Sequence, residues 1–301
     1  MTLTEMRYIV ALARERHFGK AAEACHVSQP TLSVALKKVE GQLGAALFER
    51  TASDVRITAL GERIVAQARR VLEEAVRLEE IAGSGGDPMA GPLRVGVIYT
   101  IAPYLLPQLI PALHRHAAAM PLFLKEDFTG NLIPALKAGE LDVIVIALPF
   151  AEPGLVAQPV YEEPFRVVVP AAHPWVGRPD VSAEELDGQN LLLLGQGNCF
   201  RDQVLGACPQ VSSPETDIRL GHSIGTIRCM VASGLGVSVL PDGALQYPYS
   251  NDLISVVPFA PPAPARRIAL AWRAGFVRPN AIDALLSAVR GLHSPAYRLL
   301  V

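Results

Sequence analysis

The segment Gly197-Asn198-Cys199-Phe200-Arg201-Asp202-Gln203-Val204-Leu205-Gly206-Ala207-Cys208-Pro209 places two thiols with eight residues between them in a stretch otherwise suited to a helix. A thiolate is nucleophilic towards oxidants and disulfides, so a spaced pair offers reversible thiol–disulfide chemistry. In one continuous helix, nine steps of rise hold the two Cα atoms about 13 Å apart, whereas a disulfide requires roughly 4.4–6.8 Å. Joining them means unwinding the segment. The pair is therefore a candidate switch; the competing reading is two unrelated buried thiols.

Other residue types offer less. Cys25 falls on the inner face of an expected second helix and Cys229 within an apolar helix over 223–233, both positions suited to packing. His114 and His116, two apart, do not share a helix face, and no histidine spacing suits a metal. Gly234-Leu235-Gly236 follows a helix rather than a strand, which argues against a dinucleotide loop. Neither a metal nor a cofactor is expected. An enzyme with Cys199 as nucleophile and His222 as base lacks any local nucleophile signature.

At 301 residues the chain is long enough for two or three domains. Its net charge of −2 excludes a wholesale polyanion binder, so contact with nucleic acid must be concentrated in one part. No run reaches the ~18 apolar residues of a membrane span, and Met1-Thr2-Leu3-Thr4-Glu5 lacks the pattern of a secretory signal. These features predict a cytoplasmic protein without a membrane partner, whose cysteines rest as thiols and form at most transient or signalling disulfides.

Residues 1–45 carry helical periodicity, with Met6, Ile9, Val10 and Ala13 on one apolar face and Ala21, Ala22 and Cys25 on a small-residue face. Ser28 is a good N-cap, Pro30 sits in the first turn, and Leu32, Leu36, Val39 and Leu43 form the inward stripe of a third helix. Ser33 and Lys37 point the other way. A helix, tight turn and helix with a polar, basic outer face suits a DNA major groove, though a three-helix structural bundle shows the same stripes. Ser28-Gln29-Pro30-Thr31 at the helix start favours DNA. Gln29, Thr31 and Ser33 are then candidates for base edges, and Pro30 for a thymine methyl. Ser28, Lys37 and Arg50 are candidates for phosphates, Arg50 from a hairpin wing over 48–57.

A long helix is predicted from Thr58 to about residue 82, with Ile64, Val71 and Leu78 at one heptad position and Ala68, Ala75 and Ala82 at the other. It reads as a dimerisation stalk leading to a hinge at 83–88, although a lone surface helix could carry the same stripe. Beyond the hinge, strands at 93–98, 122–128, 142–147, 165–170, 190–194, 236–240 and 267–272 alternate with helices at 104–119, 132–138, 223–233 and 279–292. This alternation predicts parallel α/β sheets with ligands near strand and helix ends.

The core Ala21-Ala22-Glu23-Ala24-Cys25-His26-Val27-Ser28-Gln29-Pro30-Thr31-Leu32-Ser33, with Leu47-Phe48-Glu49-Arg50 and Thr58-Ala59-Leu60-Gly61, resembles the LysR-type transcriptional regulators. The resemblance covers the whole chain. It implies an α/β protein: a winged helix-turn-helix DNA-binding domain over 1–58, a linker helix and hinge over 59–87, and a two-lobed regulatory domain like the periplasmic binding proteins over 88–301. Lobe I would comprise 88–162 and 268–301, and lobe II 163–267.

Gly197-Asn198-Cys199-Phe200-Arg201-Asp202-Gln203 with Cys208 resembles the hydrogen-peroxide-sensing branch of that family. By that resemblance Cys199 is the peroxide-reactive thiol and Cys208 the resolving one, while Thr100, Thr129, Asn198, Arg201 and Arg266 line the peroxide pocket. Without it, threonines at strand ends cap or satisfy backbone groups. Position 198, often histidine in that branch, is asparagine here, so no imidazole is available there. The implied partners are an operator in double-stranded DNA, hydrogen peroxide, a second copy or a homotetramer, RNA polymerase, and a thiol reductant of thioredoxin or glutaredoxin type. The alternative within the family is a regulator answering to a small organic effector between the lobes.

Overall fold

The Thr2 hydroxyl and the Glu5 carboxylate form a reciprocal capping box that starts helix α1 (Leu3–Glu15). The computed structural model describes residues 1–50, 55–83, 89, 91–209, 218–246, 248, 250–292 and 294–300, in two units, Met1–Gly86 and Asp87–Val301. In the first unit α2 (Phe18–Ala24) and α3 (Gln29–Leu43) follow α1, then a wing of β1 (Phe48–Arg50) paired antiparallel with β2 (Val55–Ile57). The Glu40 carboxylate ties α3 to the wing by accepting from the Leu47 and Phe48 amides at 2.8 and 3.1 Å.

Two details differ from the sequence reading. The buried face of α1 is Tyr8, Ile9, Ala11 and Leu12 with Glu5, whereas Met6, Val10 and Ala13 are half-buried. Glu5 is drawn inward because it caps α1 and accepts from Lys38 at 2.9 Å. Leu43, expected in the inward stripe of α3, is exposed, because the left-handed Gly44 ends the helix and turns the chain away from the core.

Helix α4 (Ala59–Gly83) begins at Thr58, whose hydroxyl accepts from the Gly61 amide at 2.9 Å. Val65 and Ala68 are buried, Ile64, Val71 and Ala75 half-buried, and Leu78 is 69% exposed, so the far end of the stripe lacks cover from its own unit. The side chain of Ala82 and the expected hinge residues 84–88 lie outside the described residues.

The second unit is built from β3 (Leu93–Ile98), α5 (Ala102–His116), β4 (Leu122–Asp127), α6 (Thr129–Lys137), β5 (Val143–Ala147) and the long β6 (Leu155–Pro170). It continues through β7 (Leu191–Leu194), α7 (Cys199–Ala207), β8 (Ile218–Gly221), α8 (Ile224–Ala232), β9 (Val237–Pro241) and β10 (Ile254–Pro258). It ends with β11 (Ala265–Arg273), α9 (Pro279–Arg290) and β12 (Arg298–Leu299). Strand order is β4-β3-β5-β11-β6-β9-β7-β8, with β10 and β12 also on β6.

The expectation of parallel sheets needs correction. Pairs β3–β4, β3–β5, β7–β8 and β7–β9 are parallel, but β11 is antiparallel to β5 and β6, and β6 to β9 and β10. The reason is β6. Its first part, up to Pro164, pairs with β11, and from Phe165 onward it pairs with β9. One strand thus serves two sheets, and antiparallel neighbours need no crossover helix. Among the described residues, no helix is long and apolar enough to cross a membrane.

Candidate functional site

The chain leaves β7 through Gly195–Asn198 and enters α7, with Gly197 at φ +90°, where only glycine is at ease. Asn198 holds the N-cap position, yet its side chain turns back to donate from Nδ2 to the Gly195 carbonyl at 3.0 Å and caps nothing. Cys199 is therefore the first residue of a helix that its N-cap side chain leaves uncapped. Cys208 is the C-cap at the other end, its amide donating to the Val204 carbonyl at 2.9 Å. All four cysteines are free thiols, and α7 is intact between the pair. Cys208 is fully buried, and that burial, aided by the Glu184 carboxylate, pushes its thiol from 9.0 up to about 11.

Cys199 opens into a narrow cavity of about 10 Å³, lined also by Ile98, Tyr99, Thr100, Asp127, Phe128, Thr129, Gly197 and Asn198. That is the scale of one water-sized molecule. The Thr129 hydroxyl donates to the Cys199 Sγ at 3.9 Å. Thr129 is itself the first residue of α6, so two helix amino ends meet at the cavity and their dipoles favour negative charge there.

Behind Thr100 lies a buried ion pair. Arg266 Nε donates to Glu163 Oε2 at 3.0 Å with both side chains at 0% exposure. Arg266 Nη1 donates to Thr100 Oγ1 at 3.1 Å, and Nη2 to the Thr100 carbonyl at 2.9 Å and to the Tyr104 hydroxyl. Tyr104 in turn donates to Glu163 Oε2 at 2.9 Å, and the Gly243 amide to Oε1 at 2.9 Å. Burial alone would lower the Arg266 pKa; Tyr104, Glu163, Tyr161 and Cys199 outweigh it and hold the guanidinium firmly charged. Phe200 places its ring 4.8 Å from the guanidinium and meets Phe165 edge-on at 5.1 Å.

Of the expected pocket residues, Thr100, Thr129 and Asn198 line the cavity with Cys199, and Arg266 reaches it through Thr100. Arg201 does not join them. Its guanidinium points back to the Leu194 carbonyl at 3.2 Å, because the third position of α7 faces the end of β7 rather than the cavity. Cys229 is exposed rather than packed, since α8 buries Ile224, Ile227 and Val231. Cys25 ends α2 half-buried. Glu163, Tyr104 and Gly243 escaped the sequence reading. Their signal was Tyr161, Glu163 and Phe165 at period two on one fully buried face of β6, with a carboxylate between two aromatics.

In the first unit Gln29, Pro30 and Thr31 are exposed at the amino end of α3, Lys37 is exposed two turns on, and Ser33 is half-buried. The Ser28 hydroxyl accepts from the Thr31 amide at 3.3 Å and lies 2.7 Å from Thr31 Oγ1, so its first task is capping. The side chain of Arg50 lies outside the described residues.

Residues 3–62 match the model of the bacterial regulatory helix-turn-helix protein, lysR family, and residues 86–293 that of the LysR substrate binding domain. The chain is 39% identical over 290 residues to the DNA-binding transcriptional dual regulator OxyR of Escherichia coli (strain K12), covering 96% of this chain and 95% of that one. Full-length OxyR C199D from Pseudomonas aeruginosa is similar at a TM-score of 0.78 and 52% identity, over 99% and 98% of the two chains. An H2O2-bound cysteine mutant of Corynebacterium glutamicum OxyR is similar at a TM-score of 0.64 and 31% identity, over 96% and 91%.

The raised Cys208 thiol has a consequence for stability. A folded-state value above the unfolded one means that its contribution is complete below about pH 9 and is lost as pH rises through about 11. Urea unfolding of the reduced chain should therefore show stability falling over that window, with a shallower fall in Cys208→Ala. Identical pH dependence in the two proteins would contradict the burial assigned to this thiol.

Proposed function

The chain belongs to the LysR family of bacterial helix-turn-helix regulators, and from that premise we propose that it is a hydrogen-peroxide-sensing transcription regulator of the OxyR type, switched by a reversible Cys199–Cys208 disulfide. The observation that carries this reading is Cys199 at the head of α7, facing a water-sized cavity with a threonine hydroxyl on its sulfur, and Cys208 at the foot of the same helix. A cavity of that size admits only a molecule on the scale of water or peroxide to the thiol. The relatives named as OxyR, and the H2O2-bound structure among them, support the same assignment.

In the reaction the Cys199 thiolate forms an S–O bond as the peroxide O–O bond breaks. The sulfur gives up two electrons, and the departing hydroxide takes a proton to become water. Thr129 orients the sulfur, while Thr100 and Asn198 shape the pocket. Cys208 then condenses with the sulfenic acid, forming S–S and releasing water that carries the Cys208 proton. As α7 unwinds, lobe II (163–267) shifts against lobe I (88–162 and 268–301). The linker helix and hinge (59–87) carry that shift to the DNA-binding domain (1–58). The stripe of Ile64, Val71 and Leu78 on α4 pairs two copies, and a homodimer or homotetramer grips the operator. RNA polymerase receives the signal in the cytoplasm, and a thioredoxin- or glutaredoxin-type reductant resets the switch.

On DNA, Gln29, Thr31 and Ser33 read base edges and Pro30 touches a thymine methyl, while Lys37 and Arg50 hold phosphates and Ser28 sets the helix start.

Two experiments test these assignments. Titrating peroxide against the reduced chain should remove two of its four thiols at near-stoichiometric oxidant. Under the same treatment Cys208→Ser should stop at a sulfenate or over-oxidised Cys199, read by mass spectrometry. A normal intramolecular disulfide in that variant would refute the pairing. In binding titrations, Lys37→Ala should reduce the salt slope by about 0.9 and weaken all sequences alike. Gln29→Ala should instead lose roughly 1–3 kcal/mol of discrimination at one base pair. A selective loss for Lys37→Ala, or a uniform one for Gln29→Ala, would overturn those roles.

A further inference from the structure

We propose that Glu163 and Tyr104 are positioning residues for the peroxide reaction, fixing Arg266 so that the Thr100 hydroxyl is turned to donate into the Cys199 cavity. The inference rests on the peroxide reading given above. It follows from the direction of each hydrogen bond. A guanidinium only donates and a carboxylate only accepts. Arg266 Nε donates to Glu163 Oε2 at 3.0 Å, Nη2 donates to the Tyr104 oxygen, and the Tyr104 proton goes to Glu163 Oε2 at 2.9 Å. Arg266 Nη1 then faces Thr100 Oγ1 at 3.1 Å, where the hydroxyl oxygen must accept. Thr100 lines the cavity, so the hydroxyl hydrogen remains for whatever occupies it.

The arrangement is a built one. Glu163 is wholly buried, and the Gly243 amide holds its other oxygen at 2.9 Å. A Cβ at Gly243 would lie 2.6 Å from Glu163 Oε1 and 2.7 Å from the Tyr104 ring, so that position accommodates only glycine. The members come from separate places in the fold: Thr100 after β3, Tyr104 on α5, Glu163 on β6, Gly243 after β9 and Arg266 on β11. A salt bridge serving stability alone would not need to orient a threonine at the mouth of a reactive thiol.

The chemical role follows. When the thiolate sulfur bonds to one peroxide oxygen, the O–O bond breaks and its electron pair leaves on the other oxygen as hydroxide, which takes a proton from solvent. A donor fixed beforehand at that oxygen stabilises the growing charge. Arg266, bonded to Thr100 and anchored by Glu163, polarises that donor without touching the peroxide.

The test compares two reagents on the full-length reduced protein at one pH. Stopped-flow oxidation by hydrogen peroxide depends on the departing oxygen. Alkylation of Cys199 by iodoacetamide, followed by mass spectrometry, has no such oxygen. Glu163→Gln strips a buried guanidinium of its counter-charge, so Tyr104→Phe, which keeps the ion pair, is the deciding variant. Tyr104→Phe should slow peroxide oxidation about tenfold while leaving alkylation within about twofold of wild type, and Glu163→Gln, where folded, should slow oxidation further. Unchanged peroxide reactivity in Tyr104→Phe, or equal losses with both reagents, would overturn the proposal and leave a structural role. A wild-type chain no faster with peroxide than free cysteine would instead bring down the peroxide reading itself, and this inference with it.

Discussion

Helix α7 holds Cys199 and Cys208 at its opposite ends, and an α-helix of that length separates their Cα atoms by about 13 Å, roughly twice what a disulfide allows. The helical hydrogen bonds and an S–S bond between these residues therefore exclude one another. Little intrinsic stability opposes the change. Nine residues are too few for a helix to persist by itself, Asn198 contributes no side-chain cap, and Gly206 sits in the last turn. Packing holds α7 in place, chiefly through Phe200 and Val204, its buried side chains. A segment held by two apolar anchors can be released by one covalent bond.

Those anchors also explain how a local event can spread. Phe200 lies against Phe165 on β6 and against Arg266 on β11, the two strands that join the parts of the second unit. Phe165 is also where β6 changes partners, from β11 to β9. Removing Phe200 would withdraw a ring from this joint and expose one face of a buried cation whose other contacts reach Thr100 at the cavity. The thiol, the joint and the ion pair thus share one set of contacts, and α7 cannot move without disturbing all three.

Much of this was legible in the sequence because it is local. The N-cap at Ser28, the proline at Pro30 and the Leu32, Leu36, Val39 stripe define α3, and the runs at 93–98 and 142–147 mark two core strands. The cavity residues Thr100, Thr129, Asn198 and Cys199 became legible through family resemblance rather than spacing, since they come from three separate stretches. What failed depended on long-range pairing. Nothing within Glu162-Glu163 states that one carboxylate faces solvent arginines while its neighbour meets Arg266 across β11. Arg201, expected in the pocket by resemblance, turns to the Leu194 carbonyl instead, because a motif does not decide which side of a first helical turn a side chain leaves from. The mixed sheet was hidden because alternation of strands and helices says nothing about a single strand that serves two sheets.

Amide hydrogen exchange across residues 199–208, before and after one equivalent of hydrogen peroxide, tests the central claim most directly. Reduced protein should show protection at the Cys208 amide, which donates to the Val204 carbonyl at 2.9 Å. The account predicts that this protection disappears once Cys199 and Cys208 are joined. Helical protection retained throughout the segment, in molecules whose mass confirms the disulfide, would contradict it.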